Sequence, residues 1–405
     1  MPDPSQKLTE VRNAVPEKCP TQLFAAPQIS PQCTACVVIP VKDEEDHITQ
    51  TLAAFAQQAD RQGAPLDRQM FEILLLINNC TDSSAARIEA FRREHPELAI
   101  WVEDIHLPQQ QANIGYVRRQ LMEAACRRLA QNGGGVILTT DGDTRVAPDW
   151  ISQTRAEISA GADAVGGRIL FCPEEEASMD ALTAWYHYED EKYQLLIAEV
   201  TAAILQHPHD PAPTHHQHFN GSFAVTTDCY EKSGGIPEVT HLEDCAFFEQ
   251  LQRIDAQVRH SPKVVVYTSA RYSGRSEVGL SNQLRIWRTL GETGGTLMVA
   301  SGDAIVEKLR FKKRLMDLWS HRKMLGSNAI RTLAEDNPLV RISAQDWEDF
   351  RKRPFFGAWY AQVVQPQEGV WRTAHPDVPV AEAIIQLQEA VGRYAAASFS
   401  HTSIR

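Results

Sequence analysis

Long apolar runs are missing from this 405-residue chain. None approaches the roughly 20 residues that a membrane-spanning helix requires, so no spanning segment is expected. Cysteine is scarce too, at 8 residues, which excludes a disulfide scaffold. Cys36, Cys80, Cys126 and Cys172 sit beside apolar runs, where a reduced thiol is ordinary core filler. The opening MPDPSQKLTE has neither a basic nor an apolar leader region, so no secretory signal is expected. These features point to a protein of a reducing cytoplasm. Positive charge is also short, with 40 Lys+Arg against 52 Asp+Glu. Duplex binding needs clustered positive charge, so nucleic acid is not an expected partner. Several motifs are absent: G-x-x-x-x-G-K-[ST], a G-x-G-x-x-G after the first strand, H-E-x-x-H and G-x-S-x-G. Their absence removes a P-loop, a dinucleotide fingerprint, a zinc-protease helix and a hydrolase nucleophile elbow.

What is present is a globular composition, 43% hydrophobic and 23% charged. Its charge is unevenly placed. Residues 281–405 hold 17 Lys+Arg and 13 Asp+Glu, a net of +4, and the preceding 280 residues are net −16. Residues 1–32 carry Pro2, Pro4, Pro16, Pro20, Pro27 and Pro31 and read as an arm. From there to about residue 280, strands and helices alternate. The expected organisation is an arm over 1–32, an α/β domain over 33–280 and a helical region over 281–405.

Cys36-Val37-Val38-Ile39 reads as a buried strand stopped at Pro40. The acidic run 43–46, followed by Ile48, Leu52, Phe55 and Ala56, predicts a helix with an acidic first turn. Glu72–Ile77, Ile100–Val102 and Val136–Thr140 are further apolar strands, with helical stripes between them. Unalternated strands separated by helices imply a parallel sheet covered on both faces. Ligands of such sheets bind beyond the strands' carboxyl ends. The chemistry is therefore expected just after Ile39, Ile77 and Thr140.

Asp141-Gly142-Asp143 is the sharpest signal there. Carboxylates at i and i+2 of an extended chain share a face, and oxygen-only ligands suit a hard divalent cation, Mg²⁺ or Mn²⁺. Glu243-Asp244 follows a turn-rich stretch and opens a helix, where acids are ordinarily caps; the functional reading is a general base at the same cleft. Arg118 and Arg119 open the helix after Asn113-Ile114-Gly115-Tyr116 and read as solvated charges, as a phosphate cradle or as a balance for the cleft's acids. His215, His216 and His218 have no zinc-motif spacing and read as a loop lining the cleft. Arg271 and Arg275, in a Gly/Ser loop, read as a diphosphate clamp or as plain loop.

The ordered set Val37–Glu45, Leu76–Asp82, Leu138–Thr144, Asn220-Gly221-Ser222 and Glu243-Asp244 resembles glycosyltransferase family 2 over roughly residues 36–280. The resemblance implies a GT-A fold and transfer with inversion from a nucleotide-diphosphate sugar to an acceptor hydroxyl. It implies that Pro40, Val41 and Glu44 wrap the nucleotide base. Asn78-Asn79 stands where the family has a base-holding acid, which makes that contact amide-mediated. Arg118 matches the family's arginine after its Gly-x-x turn. Asp141 takes the ribose-side role, Asp143 the metal, Gly221 and Ser222 the sugar and acceptor side, and Asp244 the catalytic base, with Glu243 as the other candidate. The alternatives are a sugar nucleotidyltransferase and a non-catalytic sugar- or protein-binding module on the same fold. The acidic segment after strand one, where a nucleotidyltransferase has a basic loop, and the intact acids count against them. The basic stretch Glu307–Leu315, with Trp319, Arg322 and Lys323, reads as a helix packed on the catalytic domain. Its other reading is a surface for an anionic, lipid-linked acceptor or the inner membrane face.

Overall fold

The computed structural model describes residues 23–25, 28–272, 279–326, 330, 332, 337 and 339–402. Eight strands form one sheet: β1 Ala35–Val41, β2 Phe71–Asn78, β3 Ile100–Ile105, β4 Val136–Thr139, β5 Thr144–Val146, β6 Ala164–Phe171, β7 Phe223–Thr226 and β8 Val258–Thr268. Their spatial order is β3-β2-β1-β4-β7-β6-β8-β5. The first four are parallel neighbours, with Ala35 of β1 opposite both Phe71 and Val136. Antiparallel β7 breaks the run, and β5 closes the far edge against β8. The strands expected at 36–39 and 136–140 thus lie side by side, as a parallel sheet requires.

Helices cover both faces. Alternate residues of β1 and β2 (Val37, Ile39, Ile73, Leu75) pack beneath α1 Ile48–Ala56, α2 Ser84–Glu94 and α4 Trp150–Ser159. The intervening ones (Cys36, Val38, Leu74, Leu76) meet α3 Ile114–Ala130 and, beyond α7 Thr227–Ser233, α8 Glu243–Arg253. Period-two alternation with both faces buried is what erases amphipathicity from these strands. The end of the N-terminal arm joins the second face through Phe24 and Ile29. The Phe24 carbonyl accepts from Arg128, which is paired in turn with buried Glu72.

Two local expectations fail. Pro40 does not stop β1, which runs on to Val41, because a proline can end a strand's donor row without ending its register. The acids at 43–46 are not the first turn of α1, which begins at Ile48 with no acid there. They instead clamp the loop after β2. Asp43, at φ 51°, accepts from the Thr81 backbone N–H at 2.6 Å, and the Glu45 carboxylate accepts from that of Ser83 at 3.0 Å.

Beyond β8 the described chain is mainly helical, with one small strand pair, β9 Met298–Val299 and β10 Val378–Pro379. Between β6 and β7 stand the short α5 Pro173–Ala177 and the 25-residue α6 Ala181–Leu205. The C-terminal helices pack on α6. Val306 of α10 Gly302–His321 and Val380, Ile384 and Leu387 of the last helix share a core with Tyr193, Val200 and Ile204. The apolar stripe of the basic stretch is consumed in packing. Ile305, Leu309 and Met316 border that core, and Trp319 packs in an aromatic core with Phe350 and Phe356. Its cations are engaged as well: Lys308 with Glu368, Lys313 with Asp317, Lys312 over the Tyr360 ring and Arg322 over Trp319. The helix-packing reading is therefore the one observed. Among the described residues, no helix is long and apolar enough to cross a membrane.

Candidate active site

The acids singled out in the sequence meet where β1 and β4 end. Thr139 and Thr140 close β4 and hold the segment after α6: the Thr140 hydroxyl donates to the Gly221 carbonyl at 2.9 Å, and that of Thr139 to Asn220. Asp141-Gly142-Asp143 then turns, with the Thr144 N–H returning to the Asp141 carbonyl at 3.2 Å. The expectation of an extended D-x-D is corrected here. The turn aims its two carboxylates at different arginines.

Asp141 accepts from Arg118 Nη2 at 2.6 Å, and the same guanidinium donates through Nε to Glu243 at 3.2 Å. Arg118 rises from the second turn of α3, whose start is fixed by Asn113 accepting from the Tyr116 N–H. It is buried. Its remaining N–H groups face Thr139 and the Asn220 carbonyl. Of the readings open for Arg118, balancing the cleft's acids is the one these contacts match. Its side chain is only 3% exposed and has four protein partners, two of them acids. Arg118 ties the D-x-D turn to the start of α8, two motifs about 100 residues apart.

At α8, Leu242 adopts φ 55°, and Glu243 and Asp244 open the helix. Glu243 turns inward to Arg118 and the Asn220 amide. Asp244 is the partly exposed one. Burial, then the neighbouring Glu243 charge, raises its pKa, against the Cys245 N–H and Arg118, which lower it. A carboxylate so placed is a better proton acceptor than a free one.

On the other side of the turn, Asp143 lies 2.8 Å from Arg271, which also forks onto both oxygens of Glu44 at 2.8 Å each. Burial pushes the Asp143 pKa up to about 7, with Arg271 opposing and Glu44 and Asp141 adding. A polar recess beside it is lined by His47, Gln50, Arg145, Cys172 and Glu174. Buried oxygen ligands short of positive charge fit a hard divalent cation. Gly221 allows a close approach, since a Cβ there would lie 3.2 Å from Asp141 Oδ2.

The remaining expected contacts divide. Pro40 is half-buried and next to Gly142; Val41 and Asn78 are buried at the strand ends. The amide of Asn79 is engaged by the Leu107 backbone, so it braces β3 rather than facing a base. Ser222 is corrected on burial: it is fully buried, with its hydroxyl accepting from Trp150 at 3.1 Å, and so does not open onto the cleft. Arg275 lies outside the described residues.

Residues 36–208 match the Glycosyl transferase family 2 model. Over that stretch the chain is similar to family 2 glycosyltransferases. No curated protein matches the chain. Several solved structures are similar at low identity. A mannosyltransferase from Pyrobaculum calidifontis, in complex with GDP-Man and Mn²⁺, is 15% identical, covering 91% of this chain and 89% of that one, with a TM-score of 0.43. TarS from S. aureus in complex with UDP-GlcNAc is 15% identical over 90% and 92%, at 0.42. Glucosyl-3-phosphoglycerate synthase from Mycobacterium tuberculosis, with Mn²⁺, UDP and phosphoglyceric acid, is 17% identical over 66% and 83%, at 0.37.

The site also holds groups to which the sequence assigned no individual role. Asn220 joins Glu243 to the D-x-D strand, and Thr51 donates to the Gly142 carbonyl at 2.9 Å, fixing the turn from α1. Neither has a spacing signal, because both act across large sequence separations. The histidines between α6 and β7 form a cluster in which His215 is buried and His207, His209, His216 and His218 are half-buried. His218 stacks on Phe248, one helical turn after Asp244, with ring centroids 3.9 Å apart, and His260 pairs with Asp210 at 2.8 Å. Burial depresses His207, His216 and His218 to about 4. Among the described residues, only Asp43, Cys80 and Asp82 converge closely enough to share an ion, so the histidines form no such group.

A pH dependence follows from this cluster. A histidine near 6.5 when unfolded and near 4 when folded stays neutral in the native state while the unfolded chain takes up protons. Its stability contribution is whole above about pH 6.5 and is lost as pH falls toward 4, by up to roughly 3 kcal/mol per group. The melting temperature is expected to fall across that window, and less steeply in His207→Gln. Identical slopes in the two proteins would contradict this.

Proposed function

We propose that this chain is a metal-dependent, inverting glycosyltransferase. It moves a sugar from a nucleoside-diphosphate donor to an acceptor hydroxyl in the cytoplasm. The observation that carries the reading is the Arg118 bridge, which joins the D-x-D turn and the Glu243-Asp244 helix start into one cleft. The free cysteines, all unpaired among the described residues, agree with a reducing compartment.

Asp143 is the residue that would hold Mn²⁺ or Mg²⁺, with Asp141 beside it on the ribose side. Such an ion supplies charge neutralisation for a diphosphate leaving group. Pro40 and the strand ends at Val41 and Asn78 border the base. Gly221 leaves room for the sugar above Asp141. Asp244 takes the proton of the acceptor hydroxyl as it attacks, and Glu243, held by Arg118, supports the helix start rather than reacting. Single displacement needs a base on the face opposite the leaving group, and an acid on each side of one cleft meets that need. The packed tail supports an acceptor reached from solution more than one presented by a lipid surface.

The test is release of nucleoside diphosphate from a panel of nucleotide sugars. Release is expected with Mn²⁺ or Mg²⁺ for one donor class and is expected to stop in EDTA. Turnover undiminished in EDTA, or no turnover of any donor with either ion, would refute the reading.

A further inference from the structure

Arg271 occupies an unusual position for a residue expected to meet a diphosphate. Both of its terminal nitrogens are already paired with protein carboxylates: Nη1 and Nη2 fork onto Glu44 at 2.8 Å each, and Nη2 also lies 2.8 Å from Asp143. Both acids are rigidly rooted. The Glu44 N–H donates to Ser84 Oγ at 2.7 Å, and its carbonyl caps the start of α1 through His47 and Ile48. Its side chain packs on the D-x-D turn, 3.0 Å from where a Gly142 Cβ would stand. The root of Arg271 is fixed as well, because Glu175 accepts from Ser269 Oγ at 2.9 Å and from the Ala270 N–H at 2.7 Å. With these roots fixed, the long Arg271 side chain can swing off Asp143 while the surrounding backbone stays in place.

We propose that Arg271 is the resident counter-cation of the Glu44–Asp143 pair, and that a divalent ion reaches Asp143 only by displacing this guanidinium. The inference rests on the reading of Asp143 as the metal ligand. Two cations cannot share one Asp143 carboxylate without repulsion in a partly buried site. Arg271 can keep its fork on Glu44 while releasing Asp143, and the freed N–H then needs an anionic oxygen. A diphosphate supplies one, since planar guanidinium donors match phosphate oxygens. Ion and diphosphate therefore enter together, and the ion alone binds weakly. Arg271 acts as a gate on metal loading as well as a donor contact.

The experiment is a titration of Mn²⁺ alone, without nucleotide, into wild type, Arg271→Met and Asp143→Ala, followed by calorimetry and by the rise in melting temperature. Arg271→Met is expected to bind Mn²⁺ at least about tenfold more tightly than wild type. Mn²⁺ is also expected to raise its melting temperature by more than it raises that of wild type. Asp143→Ala is expected to bind none. Equal or weaker Mn²⁺ binding by Arg271→Met, with Asp143→Ala still silent, would overturn the gate and leave the metal site standing. No Asp143-dependent binding in any protein, with or without added nucleoside diphosphates, would instead overturn the metal reading. Should Arg271→Met fold poorly with both acids stripped of this guanidinium, Arg271→Met combined with Glu44→Gln removes one of them and carries the same expectation.

Discussion

Asp244→Asn is expected to lower sugar transfer by about 10²–10⁴-fold while leaving nucleoside-diphosphate affinity and melting temperature nearly unchanged. The substitution keeps shape and hydrogen-bonding reach but removes the proton acceptor. Asp244 is suited to that loss because it is the partly exposed member of the pair, whereas Glu243 is buried against Arg118. Its raised pKa, set first by burial, brings it nearer the working pH than an ordinary carboxylate. Glu243→Gln is expected to behave differently, weakening the Arg118 bridge and so affecting both fold and turnover. Steady-state kinetics beside a melting curve separates the two variants. Near-normal turnover in Asp244→Asn would return that residue to helix capping.

Arg118→Met is expected to cost about 3–5 kcal/mol of stability, the usual result of stripping one partner from a buried ion pair. Glu243 would remain inside without its cation, close to Asp244. Asp141, more exposed, would lose a 2.6 Å contact at smaller cost. Arg118→Lys is expected to rescue little, because a point charge cannot reach Asp141, Glu243 and the Asn220 carbonyl at once. Chemical denaturation measures the loss. A change below about 1 kcal/mol, the worth of an exposed pair, would contradict the buried-bridge account.

Much of the framework was legible because local rules governed it. Buried parallel strands such as Glu72–Ile77 announce themselves as continuous apolar runs, and the acids after β4 stand where such sheets bind ligands. The errors arose where a residue's partner lies far away in sequence. Nothing near Asp43 or Glu45 reveals that their carboxylates accept from the backbone of 81 and 83, so an acidic run before an apolar stripe looked like a helix start. Ser222 looked available until Trp150 took its hydroxyl. Arg118 was legible only as alternatives, since an arginine at a helix start near acids suits a phosphate cradle and an acid-balancing bridge alike. The tail stripe at 305–319 is amphipathic for a membrane or for a neighbouring helix alike, and only the presence of α6 and the Trp347–Trp359 cluster decides which.

The most direct test of the central claim is a melting-temperature panel of nucleoside diphosphates, each with and without Mn²⁺, on wild type and Asp143→Ala. One nucleotide at 100 times its Kd should stabilise wild type by about 2.7 kcal/mol, only when Mn²⁺ is present, and should leave Asp143→Ala unmoved. Equal stabilisation of the two proteins, or stabilisation that survives removal of the metal, would contradict a cation held by Asp143 at the donor site.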